Sequence, residues 1–346
     1  MLTDKISEQD LTKYNASAKI CGIVMKEIFS KIKSAEILDT LELNKYGDAR
    51  IREECEKIYK RELVKGVAFP TSISLNDCVG NYIYENGRDE YNKIKQGDII
   101  KIELGVNIGG CIAVLGETLI YEDASQDDEK VANYIKYMNL LEELKGNVIK
   151  LLIAGNINDD IKIMIESKCT EGGCFPVENT ISYQHLDAQV QTFESKYIIT
   201  NYQKYYDDDD NLAVQENVCF EFEEGDVYTI NLCIIPNDYE QMDETTHTYM
   251  EPHDPHIYRF NDQYHAFRLK MTRDFVNAAK NVHGTNAFNC LSYKQDSRYR
   301  VGIKQCLESG ILDYYPVLYS KDKYPVLHKK FTVVVGDKKC FTLKYI

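Results

Sequence analysis

Apolar side chains recur along this chain with two distinct spacings. Residues 13–33 place Ile20, Val24, Ile28 and Ile32 on one stripe at helical spacing, and residues 48–64 repeat it with Ile51, Cys55, Ile58 and Leu63. From Ile100 the period drops to two. Ile100, Ile102, Leu104 and Val106 alternate with Lys101, Glu103 and Gly105, which predicts a strand. Gly109 and Gly110 predict a hairpin turn, with a returning strand over 111–121. Helical spacing resumes over 127–153, with Val131, Ile135, Met138 and Leu141 on one stripe, and a shorter helix is expected over 157–168. The segment CTEGGCFPVENT reads as a turn-rich connection, and 227–235 as a strand covered on both faces.

Beyond residue 237 the alternation of helices and strands breaks off. A loop rich in His, Pro and acid (MDETTHTYMEPHDPHIYRF) leads into an amphipathic helix over 266–282, with Phe267, Met271, Phe275, Ala278 and Val282 inward. A second helix is expected over 297–309, and closing strands over 331–335 and 340–345. His247, His253 and His256 are irregularly spaced in a loop, so they read as surface histidines rather than a metal site. The acidic run Asp207, Asp208, Asp209 and Asp210 reads as a solvated loop tip. It lacks the alternating ligands and turn glycine of a calcium loop.

Composition narrows the class. With 346 residues and 44% hydrophobic content, the chain can bury one large core or two lobes. No apolar run reaches the ~18 residues of a membrane span, and MLTDKISEQDLTKYN lacks the regions of a signal peptide. The 11 cysteines show no CxxC spacing, and the nearest pair, Cys169 and Cys174, has no matching Cys/His pair nearby. Zinc is therefore not expected, and an odd count fits reduced thiols in the cytosol. The net charge of −14 at first speaks against nucleic acid. Its distribution reverses that view. Residues 258–346 hold 16 Lys or Arg against 7 Asp or Glu, a net of +9, which leaves −23 on the other 257. Such asymmetry predicts a polarised molecule with a basic docking face.

The block FPTSISLN, followed by the strand KIELGV, resembles the type-2 methionine aminopeptidases. It resembles more closely their non-peptidase relatives, the ErbB-receptor-binding or proliferation-associated proteins. HIYRFNDQYHAFRLKMTRDF, RYRVGIKQCLESGILDYYPVLY and KKFTVVV extend the resemblance over nearly the whole length. It implies an α/β (α+β) pita-bread, creatinase/aminopeptidase-like fold, with a helical insertion before the last strands. The expected organisation is a pita-bread domain formed by 1–236 and 315–346, interrupted by a type-2-like insertion over 237–314.

In the peptidases of this family two divalent cations activate one water, held by two Asp, one His and two Glu, with a further His near the substrate. Carried over one at a time, the first Asp falls on Glu103 and the second, eleven residues on, on Val114. The substrate-side His falls on Asn81. The metal His falls near Tyr183, or on His185 if the poorly matched segment ENTISYQHLD is slipped by two residues. The two Glu fall on Asn231 and Lys330. Either alignment leaves too little negative charge for two divalent ions, so no metal, no cofactor and no catalytic residue is expected. Lys330 is expected to point into the old pocket and pair with Glu103, replacing the charge of the lost metals.

The resemblance implies a catalytically inactive, methionine-aminopeptidase-like pseudoenzyme. Its expected partner is the large ribosomal subunit, near the mouth of the nascent-chain tunnel, through rRNA, other structured RNA and ribosomal proteins. The basic insertion is the physical support, because phosphate contacts give affinity without sequence reading. Arg268, Lys270, Arg273, Arg298, Arg300 and Lys304 are the expected RNA- and ribosome-binding residues. A monomer without membrane attachment is expected, in the cytoplasm and, through a related role, the nucleus and nucleolus. The alternatives are a large-subunit assembly or nuclear-export factor of the same fold, a divergent metallo-aminopeptidase, and a module that binds peptide segments in the empty pocket.

Overall fold

The computed structural model describes residues 6–121, 129–178, 180–186, 189–190, 196–199, 204–206, 212–214, 218–237, 248–250, 255–261 and 263–345. His247, His253 and the acidic run at 207–210 lie outside these.

The main elements in chain order are helices α1 (Glu8–Lys33) and α2 (Thr40–Lys57), strands β1 (Lys65–Leu75), β2 (Ile99–Ile108) and β3 (Cys111–Ile120), and helices α3 (Glu129–Leu151) and α4 (Asn158–Gly172). There follow β4 (Ile181–Leu186), β5 (Val227–Pro236), β6 (Ile257–Phe260), α5 (Lys270–His283), α6 (Ser297–Glu308), β7 (Leu312–Tyr315) and β8 (Leu327–Val334). The large sheet runs β1-β2-β3-β8-β5-β4, each neighbour antiparallel.

Strand parity explains how this sheet is used, because successive side chains point to opposite faces. Ile100, Ile102 and Leu104 of β2 share one core with Ile20, Val24, Ile28 and Ile51 of α1 and α2. Ile230 and Leu232 of β5 and Phe331 and Val333 of β8 share a second core with Leu141, Leu144 and Ile161 of α3 and α4. Two helix pairs thus cover the two halves of one face. The intervening residues (Glu103, Val114, Asn231, His328 and Lys330) fall on the other face. This is the pita-bread arrangement, with a pocket over the seam between the halves.

The second face departs from the alternation read in the sequence. Every residue of β2 is buried, Lys101 and Glu103 included. The alternation does not mark a solvated face; it marks a polar pocket beneath a further layer of chain. Helix boundaries and faces also shift. Helix α2 starts at Thr40, where Asp39 caps it by accepting from Glu42 N at 3.0 Å, and it ends at Lys57, which leaves Leu63 outside it and 95% exposed. On α3, Ile135 is 49% exposed, and the inward stripe is Tyr134, Tyr137, Leu141 and Leu144.

Residues between Tyr258 and Leu312, within the expected insertion, share a core of their own. Strand β6 pairs with β7 and with Phe288–Asn289. Helices α5 and α6 pack on this sheet through Phe260, Phe275, Phe288, Ile303 and Cys306. The inward face of α5 is Thr272, Phe275 and Ala279; of the expected stripe Phe275 is inward, Phe267 packs on the same core from before the helix, and Met271 and Val282 are exposed. Gly302 lets the two helices cross closely: a Cβ there would lie 2.9 Å from Phe275 Cβ.

Candidate functional site

Five of the six positions carried over from the peptidase pattern meet around one cavity of about 140 Å³: Asn81, Glu103, Tyr183, Asn231 and Lys330. Register brings two of them together. Glu103 on β2 and Lys330 on β8 both stand opposite Gly116 of β3. A Cβ at Gly116 would sit 2.7 Å from Lys330 Cβ and 2.4 Å from His328 Cε1. The glycine therefore leaves the width that lets the lysine reach across β3, and Lys330 Nζ pairs with Glu103 Oε1.

Both partners are withdrawn from water, Glu103 at 3% and Lys330 at 7% exposure. Burial alone would raise the Glu103 carboxyl; the adjoining Lys330 ammonium outweighs it and holds the group below its ordinary value. His328 Nε2 lies 3.2 Å from Glu103 Oε1. Burial pushes His328 down to about 3, so at neutral pH it is an uncharged imidazole beside the carboxylate. Lys101, two residues before Glu103 on the same face, is lowered to about 8 by burial and donates to Asn76 O at 2.6 Å and Val326 O at 3.1 Å.

The remaining positions are closed to metal in other ways. Val114 is not a pocket wall: it packs with Tyr183, Ala68 and Ile112 in a small apolar cluster. Asn81 adopts φ 65° and donates through Nδ2 to Pro316 O at 2.9 Å, which ties it to the segment returning from the insertion. Asn231 Oδ1 accepts from Cys233 Sγ at 3.6 Å. His185 does not line the cavity; its Nε2 is engaged with Thr229 Oγ1 at 2.7 Å, and Thr229 in turn with Thr332 Oγ1 at 2.8 Å. Among the described residues no group of three or more His, Cys, Asp or Glu could hold a metal. The donor set does not fit a dinuclear centre, because an ammonium occupies the charge position and pairs with Glu103, and Glu178 is the one other carboxylate lining the cavity.

His328 and Gly116 were not singled out in the sequence. The signal was there in the parity of HKKFTVVV: once Lys330 is assigned to the pocket face, His328 must share it.

The second group of expected residues lies on the insertion. Arg268, Lys270, Arg273, Arg298, Arg300 and Lys304 are all exposed, on α5, on α6 and on the segment leading into α5. They are not equally free. Arg298 folds back on the N-cap Asp296, with Nη2 2.7 Å from Oδ2. Arg273 donates to Phe267 O at 3.0 Å and Arg268 O at 2.6 Å, ordering the entry to α5. Lys304 has only a loose contact with Glu308, at 3.9 Å. Arg268, Lys270 and Arg300 have no carboxylate partner among the described residues.

Comparison with known proteins is consistent with this geometry. Over residues 12–248 the chain matches the model of metallopeptidase family M24. It is 27% identical over 336 residues to ERBB-3 binding protein 1 of Arabidopsis thaliana, covering 95% of this chain and 78% of that one. It is 27% identical over 328 residues to proliferation-associated protein A of Dictyostelium discoideum, covering 93% and 78%. The solved structure of a thermophilic Arx1 superposes with a TM-score of 0.79 at 19% identity, over 97% of this chain and 91% of that one. Methionine aminopeptidase from Rickettsia prowazekii superposes with a TM-score of 0.58 at 13% identity, over 99% of each chain. The chain therefore belongs to metallopeptidase family M24, and within it resembles the ErbB-receptor-binding and proliferation-associated proteins of the methionine-aminopeptidase fold.

Proposed function

We propose that this protein is a catalytically inactive member of its family that docks on the large ribosomal subunit near the nascent-chain tunnel exit, using the basic insertion against rRNA and neighbouring ribosomal proteins. The observation that carries the inactive half is the Lys330–Glu103 pair at the pocket floor. A lysine in place of a ligand neutralises Glu103, and the one further carboxylate lining the cavity, Glu178, leaves a set too small for two divalent ions. Water activation by two cations has no support from such a set.

The docking half rests on the resemblance together with charge. The exposed arginines and lysines of α5 and α6 stand on a segment with a net charge of +9 over 258–346, in a chain of −14 overall. Arginine forks match phosphate oxygens, and affinity built on them falls steeply with salt. The domain division goes with this reading: 1–236 with 315–346 serves as the scaffold, and 237–314 as the docking module. The protein then acts as a monomer, in the cytoplasm and wherever large subunits are assembled.

Gradient fractionation of native extract, with detection of the protein, tests the docking. Migration with large subunits and its loss as salt is raised are expected; migration with precursor particles instead would assign the assembly-factor reading. Migration with small complexes only, at low salt, would overturn the docking. Elemental analysis with a peptide-release assay tests the inactivity, and stoichiometric metal or turnover would overturn it.

A further inference from the structure

A second and larger cavity, about 470 Å³, lies outside the old pocket, in the seam between α2 and the insertion. Its volume falls within the ~300–1,000 Å³ of small-molecule sites. One wall is a single stripe of α2, where Leu41, Asn44, Lys45, Asp48 and Arg52 recur at helical spacing. The opposite wall is the end of α5 and the segment after it, including His283, Phe288 and Tyr293. Asn289 Nδ2 donates to Asn44 Oδ1 at 3.1 Å and closes the seam at the base.

Three kinds of group converge here. Lys45 and Arg52 are exposed cations about 10 Å apart along the helix axis. Lys45 has no ion-pair partner among the described residues, and Arg52 has only a long contact to Asp48, at 3.9 Å. Between them Asp48 is 8% exposed; one carboxylate oxygen accepts from Thr71 N at 2.8 Å. Its other oxygen is the one that faces Arg52. Facing it is an aromatic wall: His283 stacks on Phe288 with centroids 4.8 Å apart and planes at 13°, and His283 Nε2 lies 3.2 Å from Tyr293 OH.

An acidic peptide would satisfy Lys45 and Arg52 but set a carboxylate against Asp48. A metal would be repelled by the two cations. A ligand that offers N–H donors on a flat ring and carries an anion some distance away satisfies all three. We propose that this seam binds a nucleotide, with the base between the aromatic wall and α2, its N–H edge on the Asp48 carboxylate, and its phosphate on Lys45, one turn away, while Arg52 flanks the carboxylate from the other side. The inference does not depend on ribosome docking, since the residues differ from the six basic positions of the insertion. The nucleotide is either free or an unpaired residue of RNA, and the two share this chemistry.

Isothermal titration calorimetry of the full chain with AMP, GMP, CMP, UMP, inorganic phosphate and short single-stranded oligoribonucleotides tests the site. Saturable binding is expected, with a preference among bases, and Lys45→Glu/Arg52→Glu weakens it at least about tenfold. Both substitutions are at exposed positions, and an unchanged circular-dichroism melt separates lost binding from lost folding. Asp48→Asn keeps an acceptor for Thr71 N–H and is expected to change the base preference. Tighter binding of oligoribonucleotides than of monophosphates assigns an RNA residue; equal binding assigns a free nucleotide. Binding of phosphate as tight as any nucleotide, no binding of any probe, or binding indifferent to the charge reversal would overturn the proposal.

Discussion

The pocket floor and the insertion both carry lysines and arginines, and they hold them in opposite ways. Lys330 has 8% of its side chain exposed and is committed to Glu103, whereas Lys304 has 79% exposed and a contact at the edge of ion pairing. A buried cation must be answered where it stands, because desolvation is costly and solvent cannot screen the pair. An exposed cation on a stable helix is spare, and can be lent to a phosphate. The difference separates charge that holds the fold together from charge that the surface can offer a partner. Charge in the pocket has become structural, and charge on the insertion has remained available.

The sharpest way to break that contrast is to remove one half of the buried pair. Lys330→Met leaves Glu103 buried and unanswered, and is expected to cost about 3–5 kcal/mol in urea unfolding. Adding Glu103→Leu is expected to return most of that loss; a double variant as unstable as the single would mean that the lysine acts through packing alone. Gly116→Ala comes next. Its methyl would collide with His328 and Lys330, and about 1–3 kcal/mol of overpacking is expected.

Acid sharpens the contrast from another side. The His328 ring is lowered to about 3 in the folded chain, while an unfolded histidine titrates near 6.5. Its buried neutral form therefore contributes fully above pH ~6.5, and that contribution is lost as pH falls toward about 3. Glu103, also lowered, adds a second loss that begins near the unfolded value of ~4.3 and ends below its folded one. His328→Gln is expected to flatten the stability profile between pH ~6 and ~4 by up to ~1.4 kcal/mol per unit; an unchanged slope would place the titrating group elsewhere. The smallest effect belongs to the insertion: Arg300→Ala and Lys304→Ala are expected to stay within about 0.5 kcal/mol of the parent on urea unfolding. Larger losses would show that these side chains are structural after all.

How much of this was legible in the sequence depended on the kind of signal. The helical stripe of Ile20, Val24, Ile28 and Ile32 and the alternation from Ile100 to Val106 placed helix and strand correctly, because burial imposes those periods. The same alternation misled about exposure. Lys101 looks solvated in the sequence, since nothing local reports that its ammonium will reach the carbonyls of Asn76 and Val326. The face of α5 was misread because Met271 and Val282 are apolar yet look outward, while Thr272 looks inward and donates to Gln305 at 2.5 Å. In the pocket, Lys330 was readable from its place in the motif. Gly116 was not, since its importance is the space it leaves between strands distant in sequence. The seam beside α2 was equally hidden, for it joins positions as far apart as Asn44 and Asn289, 245 residues along the chain.

The claim that the insertion's spare charge does the docking is tested most directly by reversing it. Arg268→Glu, Lys270→Glu and Arg300→Glu are combined in one chain, and co-sedimentation with purified large subunits is measured at low salt. Loss of co-sedimentation is expected, with the urea midpoint close to the parent's. Binding as tight as the parent's, with the same salt dependence, would contradict the assignment and move the docking surface off the insertion.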